Sequence, residues 1–309
     1  MTPPAGTTSA GWNPSVEAPI PPIPSPAARL SREGARRLRE AGVEHARAEA
    51  EWLLSRLLGL TPLEVYVHEP DVPSEIAERF LSHVEARAGG APLQYLLGET
   101  NFFGLPFSVT PGVFIPRPET EAVVEHALQA LRERQAALGR PLRLLDLGTG
   151  SGCIAVTVAR ALPACVVVGV ELSWRALCAA RYNVSRQGIA STVHLVQGRW
   201  GEAIVGAFDG ILSNPPYVPS GRVAHLPLDV RQEPPISLDG GEDGMRDLLS
   251  LMAEAPRLLR PGGILVLECG EEHVPVLIRT ASQRSWVRRA SQVDDLTGRP
   301  RGLLITRNE

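Results

Sequence analysis

From Pro141 onward, short apolar runs alternate with segments of helical period. The runs predict strands at 142–147, 165–171, 193–197, 208–213 and 264–269. Between and after them, helices are expected at about 152–162, 173–187, 245–260 and 271–284. Such alternation is the signature of a parallel α/β sheet. Two final apolar stretches, near 286–290 and 302–306, are expected to pair as an antiparallel edge.

The chain before this pattern divides by composition. Residues 1–27 are rich in Pro, Ala, Ser and Thr and predict a disordered tail, because they offer little apolar surface to offset ordering entropy. Residues 28–90 predict a small helical domain. Ala50, Leu53, Leu54, Leu57 and Leu58 recur at helical spacing, and Thr61-Pro62-Leu63-Glu64 has the form of a capping box with proline at the first helical position. Ser74 begins another helix with Ile76, Phe80, Leu81 and Val84 on its apolar face. Residues 91–120 read as a linker in which Phe102 to Phe107 suits a hairpin. Ile115-Pro116-Arg117-Pro118-Glu119-Thr120-Glu121 then leads stiffly into a helix ending near Leu138, so the second domain spans 121–309.

A length of 309 residues fits two domains. The formal net charge of −3 argues against a broad basic face for nucleic acid. The four cysteines (Cys153, Cys165, Cys178 and Cys269) lack C-x-x-C spacing and lie in or beside apolar segments. They read as reduced thiols in a cytoplasmic protein, with no metal site. No apolar run is long enough to span a membrane, and the first residues lack the pattern of a signal peptide. A monomer is expected.

Leu145-Asp146-Leu147-Gly148-Thr149-Gly150-Ser151-Gly152 joins the first of these strands to its helix. Glycines there let the backbone turn tightly and let a ligand approach the main chain. The spacing is G-x-G-x-G after an acid, neither the dinucleotide fingerprint nor a Walker loop. Glu171 ends the next strand, where a carboxylate can accept both hydroxyls of a ribose. This combination suits S-adenosyl-L-methionine better than a nicotinamide cofactor.

Asn214-Pro215-Pro216-Tyr217 follows the strand at 208–213. Two prolines cannot continue a central strand, and Asn214 is pushed to extended backbone by the proline after it. The result is a stiff loop at the carboxyl end of a strand, the usual place for a ligand in an open α/β sheet. The Asn214 amide oxygen and the Pro215 carbonyl are suited to accept the hydrogens of a planar NH2, with the Tyr217 ring stacked on its face.

Over about residues 30–307 the chain resembles the HemK/PrmC family, the glutamine N5-methyltransferases of peptide chain release factors. The resemblance rests on Pro92 to Gly98, Ile115 to Glu121, Asp146 to Gly152, Asn214 to Tyr217, Asp229-Val230-Arg231-Gln232-Glu233-Pro234, and Asp239-Gly240-Gly241-Glu242-Asp243-Gly244. It implies a helical amino-terminal bundle, a hairpin linker and a Rossmann-like class I S-adenosylmethionine-dependent methyltransferase domain with a seven-stranded, mostly parallel sheet. It also implies that Gly148, Thr149, Gly150, Ser151, Gly152, Glu171, Trp200 and Asn214 contact the cofactor. Asn214, Pro215, Pro216 and Tyr217 would hold the glutamine of a Gly-Gly-Gln tripeptide. The family often has aspartate where this chain has Glu171 and Arg199.

The chemistry expected is in-line displacement at a sulfonium methyl, leaving S-adenosyl-L-homocysteine, with positioning as the enzyme's main task. A general base is not required, and His225 reads as a surface residue. Two rivals are a nucleic-acid amino-methyltransferase, which calls for a target-recognition domain or a basic face, and a non-catalytic cofactor-binding module.

Overall fold

A computed structural model describes residues 26–162 and 164–309. Five helices come first: α1 (Pro26–Glu40), α2 (Ala46–Leu58), α3 (Pro62–His68), α4 (Ser74–Ala88) and α5 (Leu93–Leu97). The capping box forms as its spacing predicts. Thr61 Oγ1 accepts from Glu64 N at 3.2 Å, and Glu64 Oε2 accepts from Thr61 N at 2.7 Å. Leu38, Leu53, Leu54, Phe80 and Val84 are fully buried together, and Leu93 of α5 joins them. The bundle as packed therefore continues to Leu97. Pro26 and Ala27, expected in the tail, open α1, and Ala27 is buried in the bundle. The rest of the expected disordered tail lies outside the described residues.

A hairpin follows, β1 (Glu99–Phe102) and β2 (Leu105–Ser108). Its two turn residues, Phe103 and Gly104, both have positive φ, as the tight turns favoured by strand twist require. Next comes α6 (Pro118–Leu138), with proline in its first turn and Glu119 and Glu121 facing the positive end of its dipole.

The remaining elements are β3 (Leu142–Leu147), α7 (Cys153–Ala161), β4 (Cys165–Glu171), α8 (Trp174–Arg186), β5 (Val193–Gln197) and β6 (Phe208–Ser213), then α9 (Ser220–Val223), α10 (Arg246–Leu258), β7 (Leu259–Glu268), α11 (Val274–Ser282), β8 (Val287–Asp294) and β9 (Pro300–Arg307). The seven strands β3 to β9 form one sheet in the order β5-β4-β3-β6-β7-β9-β8. Its first five strands run parallel, while β9 lies antiparallel between β7 and the edge strand β8.

Both faces of the sheet are covered, so neighbouring residues on one strand serve different cores. Leu144, Leu212 and Val266 share a cluster with Leu128 and Leu131 of α6 and Val156 of α7. Leu145, Ile211 and Leu265 share another with Leu248 and Leu251 of α10 and Leu277 of α11. Burial on both faces is why these strands read as continuous apolar runs.

Strand β7 begins earlier than its sequence predicts. Leu259 pairs with Phe208, and Ile264 pairs with Gly210 across a register irregularity that absorbs Arg260 to Gly263. Pro261-Gly262-Gly263 has turn chemistry, but pairing with β6 overrides it. Helix α10 ends at Leu258 for the same reason.

The sheet order sets the position of the site. From β3 the chain steps outward to β4 and β5, then returns to β6 on the other side of β3. The carboxyl ends of β3 and β6 therefore flank the point where strand order reverses, and a ligand crevice opens there.

Candidate active site

The loop after β3 is held by short-range bonds. The Gly148 and Thr149 N–H groups both donate to Val170 O at 2.9 Å. Gly148 has φ +75°, and a Cβ there would lie 3.1 Å from the Trp200 ring. Beneath the loop, Asp146 Oδ2 accepts from Thr149 Oγ1 at 2.6 Å and from Ala155 N at 3.0 Å. Burial pushes the Asp146 carboxyl up to about 7, although those two bonds favour its ionised form.

Glu171 stands at the end of β4 and is bound to the same loop. Its Oε2 accepts from Gly150 N at 2.9 Å and its Oε1 from Ser173 N at 2.8 Å. Each oxygen keeps a further lone pair for a diol. Trp200 has φ +46°, an uncommon conformation for a side chain of this size. The turn around it is held by α10: Gly201 N donates to Glu254 Oε2 at 2.9 Å, and Arg257 donates to Gly201 O at 2.8 Å.

The glycine loop, Glu171 and Trp200 line one cavity of about 350 Å³. Of the residues the sequence singles out, Gly148, Thr149, Gly150, Ser151, Glu171, Trp200, Asn214 and Pro216 reach it. Arg199 lines it too, beside Trp200.

Gly152, Pro215 and Tyr217 do not line the cavity. Gly152 turns the chain into α7 and packs on α8, where an added Cβ would meet Ala180 at 3.3 Å. Pro215 is buried behind the wall that Pro216 presents. The expected stacking of Tyr217 on the substrate is not met. Its ring packs against the core under α10 and α11, at 6.3 Å and edge-on to His273, and its hydroxyl donates to Glu268 Oε1 at 3.2 Å. Burial raises the Tyr217 pKa, with the nearby Glu268 carboxyl adding to the effect. The hydroxyl stays protonated. A phenol whose oxygen has a partner deep in the wall cannot also swing its ring into the cavity. Phe114 supplies the aromatic wall instead, with the Arg117 guanidinium 5.0 Å over its ring.

Asn214 directly follows β6, half-buried. Its Nδ2 donates to Thr120 Oγ1 at 3.2 Å, so its oxygen is the end left to accept. Thr120 in turn adjoins Glu268, the buried last residue of β7. Burial pushes the Glu268 carboxyl up to about 7, against the opposing effects of the Thr120 and Tyr217 hydroxyls and Arg301.

The motifs between β6 and α10 prove to be walls and buttresses. Glu233, buried, accepts from Ile115 N at 2.9 Å and from the Arg117 guanidinium, which ties the 229–234 motif to the 115–121 motif. The 239–244 motif clasps the loop after β6. Val218 N donates to Leu238 O, and Gly240 N donates to Val218 O, both at 2.9 Å. Gly244, at φ +78°, comes so close that a Cβ would lie 2.3 Å from Tyr217 O. His225 is exposed, with Nδ1 beside Gly221 O at 3.1 Å.

Thr120, Glu268 and Phe114 were not singled out as site residues by the sequence. Glu268 did carry a signal, since it is a lone carboxylate closing the apolar run Ile264-Leu265-Val266-Leu267.

A sheet of this order, with a glycine loop at one side of the reversal point and Asn214 at the other, defines a Rossmann-like class I methyltransferase. The catalytic domain of hMettl16, solved with a MAT2A 3′UTR hairpin, shares that fold with a TM-score of 0.52 at 15% identity, over 76% of this chain and 82% of that one. Within this class, the chain belongs to the release factor glutamine methyltransferase family. The release factor glutamine methyltransferase of Moorella thermoacetica is 39% identical over 279 residues, covering 90% of this chain and 97% of that protein. Its namesake in Geobacter sulfurreducens is 46% identical over 238 residues, covering 75% of this chain and 80% of that protein. Residues 29–98 match the PrmC N-terminal domain and residues 106–226 the methyltransferase small domain. Among the described residues, no helix is long and apolar enough to cross a membrane.

Proposed function

We propose that this enzyme transfers a methyl group from S-adenosyl-L-methionine to the side-chain amide nitrogen of a glutamine, within the Gly-Gly-Gln motif of a peptide chain release factor. The observation that carries this reading is the single cavity shared by the glycine loop, Glu171 and Asn214. Its volume of about 350 Å³ lies in the range of cofactor-sized pockets. When bound, the cofactor supplies an electrophilic sulfonium methyl.

The chain's own residues do the positioning. Gly148 and Gly150 offer main chain without a side chain in the way. Glu171 accepts from the ribose hydroxyls, and the Trp200 ring forms a flat wall. An amide nitrogen is a poor nucleophile because its lone pair is delocalised into the carbonyl. The Asn214 oxygen, at the cavity wall, accepts a hydrogen of that NH2 and sets its plane, whereas Pro215 lies behind the wall. That acceptor also favours the positive charge that develops on nitrogen, the logic of an oxyanion hole with its sign reversed. Phe114 and Pro216 flank the planar amide in place of Tyr217. A general base is not needed before transfer, because the nitrogen becomes acidic as it is methylated.

The helical bundle is proposed to dock the release factor. Supporting this, Trp52, Leu63, Tyr66 and Val67 are large apolar side chains left exposed on α2 and α3.

The test is incubation with labelled S-adenosyl-L-methionine and purified release factor, followed by mapping of the modified residue. Label is expected on one glutamine and is expected to disappear when that glutamine is changed to glutamate. Methylation of DNA or RNA at a rivalling rate would overturn the assignment.

A further inference from the structure

An asparagine amide grips an NH2 only through its oxygen. Rotated by half a turn, it would present its own NH2 to the substrate and repel it. What fixes the rotation of Asn214 therefore decides whether the site works. Within hydrogen-bond reach of Nδ2 is Thr120 Oγ1, from the first turn of α6. A hydroxyl is both donor and acceptor, so Thr120 alone tolerates either rotation. The choice needs a third group that commits the hydroxyl hydrogen elsewhere.

Glu268 is placed to do that. Its side chain lies against Thr120 and is 1% exposed at the end of β7. Oε1 accepts from the Tyr217 hydroxyl, while Oε2 is buried with no partner of its own. Thr120, Asn214 and Glu268 also line one small pocket together. The charged and titratable groups around Glu268 include Arg301, Glu119, Tyr217, Cys269 and Cys153. In its ionised form, above the value of about 7 to which burial pushes it, this carboxylate accepts hydrogen bonds and cannot donate one.

We infer that Glu268 and Thr120 are positioning residues for methyl transfer: Glu268 takes the Thr120 hydroxyl hydrogen, so that Thr120 can only accept from Asn214 Nδ2 and the Asn214 oxygen is held toward the substrate. The same carboxylate holds the Tyr217 hydroxyl, which explains why Tyr217 is turned into the wall. The inference rests on the substrate reading above. It assigns α6 and β7 a part in the reaction although neither Thr120 nor Glu268 is asked to touch the reacting atoms.

The experiment is steady-state kinetics of the full-length enzyme with S-adenosyl-L-methionine and purified release factor, with cofactor affinity measured separately by calorimetry. Thr120→Val removes the acceptor while keeping the shape. It should lower kcat roughly tenfold or more, with cofactor affinity within about twofold of wild type, the pattern of a misoriented contact at the reacting centre. Thr120→Ser restores the hydroxyl and should recover most of the rate. In an Asn214→Ala background, Thr120→Val should cost nothing further, since coupled residues are not additive. A Thr120→Val enzyme with wild-type kcat, or losses that multiply in the double variant, would overturn the inference. A wild-type enzyme that leaves release factor unmethylated would instead overturn the substrate reading beneath it.

Discussion

The loops after β3 and β6 leave neighbouring strands and meet in one cavity, yet they are held in different ways. The loop after β3 is tied within a short reach. Asp146 bonds Thr149 and Ala155, and Gly148 and Thr149 bond Val170 on the adjoining strand. The loop after β6 has given up two N–H groups to proline and is steadied from far along the chain. Thr120 lies against Asn214, Glu268 holds Tyr217, and 238–244 clasps Val218. The cofactor side of the site is thus a local structure, while the substrate side is assembled from α6, β7 and the segment before α10. Damage to the two sides should have different signatures.

The largest effect is expected at the substrate side. Asn214→Ala leaves Gly148 and Glu171 in place but deletes the oxygen that orients the NH2. Methyl transfer to release factor should fall at least about a hundredfold, comparable to losing one preorganised polar contact, while cofactor affinity drops modestly. Full activity in this variant would break the proposed mechanism.

Gly244→Ala probes the clasp. Its Cβ would meet Tyr217 O at 2.3 Å, from a backbone at φ +78°. Overpacking and left-handed strain together should cost about 2–4 kcal/mol of stability, read from denaturant midpoints. In the fraction that stays folded, transfer should suffer more than cofactor binding. Equal loss of both would erase the distinction between the two sides.

Glu171→Ala sharpens the comparison from the other direction. Cofactor affinity should weaken by about 1–3 kcal/mol, the scale of charge-assisted hydrogen bonds, as measured by calorimetry. At saturating cofactor the transfer rate should return toward wild type. Unchanged affinity in a folded variant would remove Glu171 from the ribose role.

Much of the fold was legible because its signals are local. The strands 142–147, 165–171, 193–197 and 208–213 appear with the bounds their apolar runs predict. The capping box at Thr61 forms from residues within a few positions of one another, and the glycine loop at Gly148 is set by Gly152 N to Thr149 O and by Val170 on the strand just after it. The start of strand β7 is not legible in the sequence, because Pro261-Gly262-Gly263 carries turn chemistry that pairing with β6 overcomes. Glycine spacing does not reveal that Gly152, which the resemblance places at the cofactor, faces a helix instead.

The sequence by itself determined the alternation of strands and helices, the open backbone at Gly148, the acid at Glu171 and the stiff loop at Asn214. Each of these follows from side-chain period or allowed dihedrals over a few residues. Only the tertiary structure decided that Tyr217 turns inward to Glu268, that Phe114 forms the aromatic wall, and that the Asn214 amide is bonded through its nitrogen to Thr120, 94 positions away. Those outcomes depend on strand order and on which side chains share a buried volume. A neighbour so distant in sequence leaves no local pattern, because its partner is chosen by packing and by the need to satisfy polar groups once water is excluded.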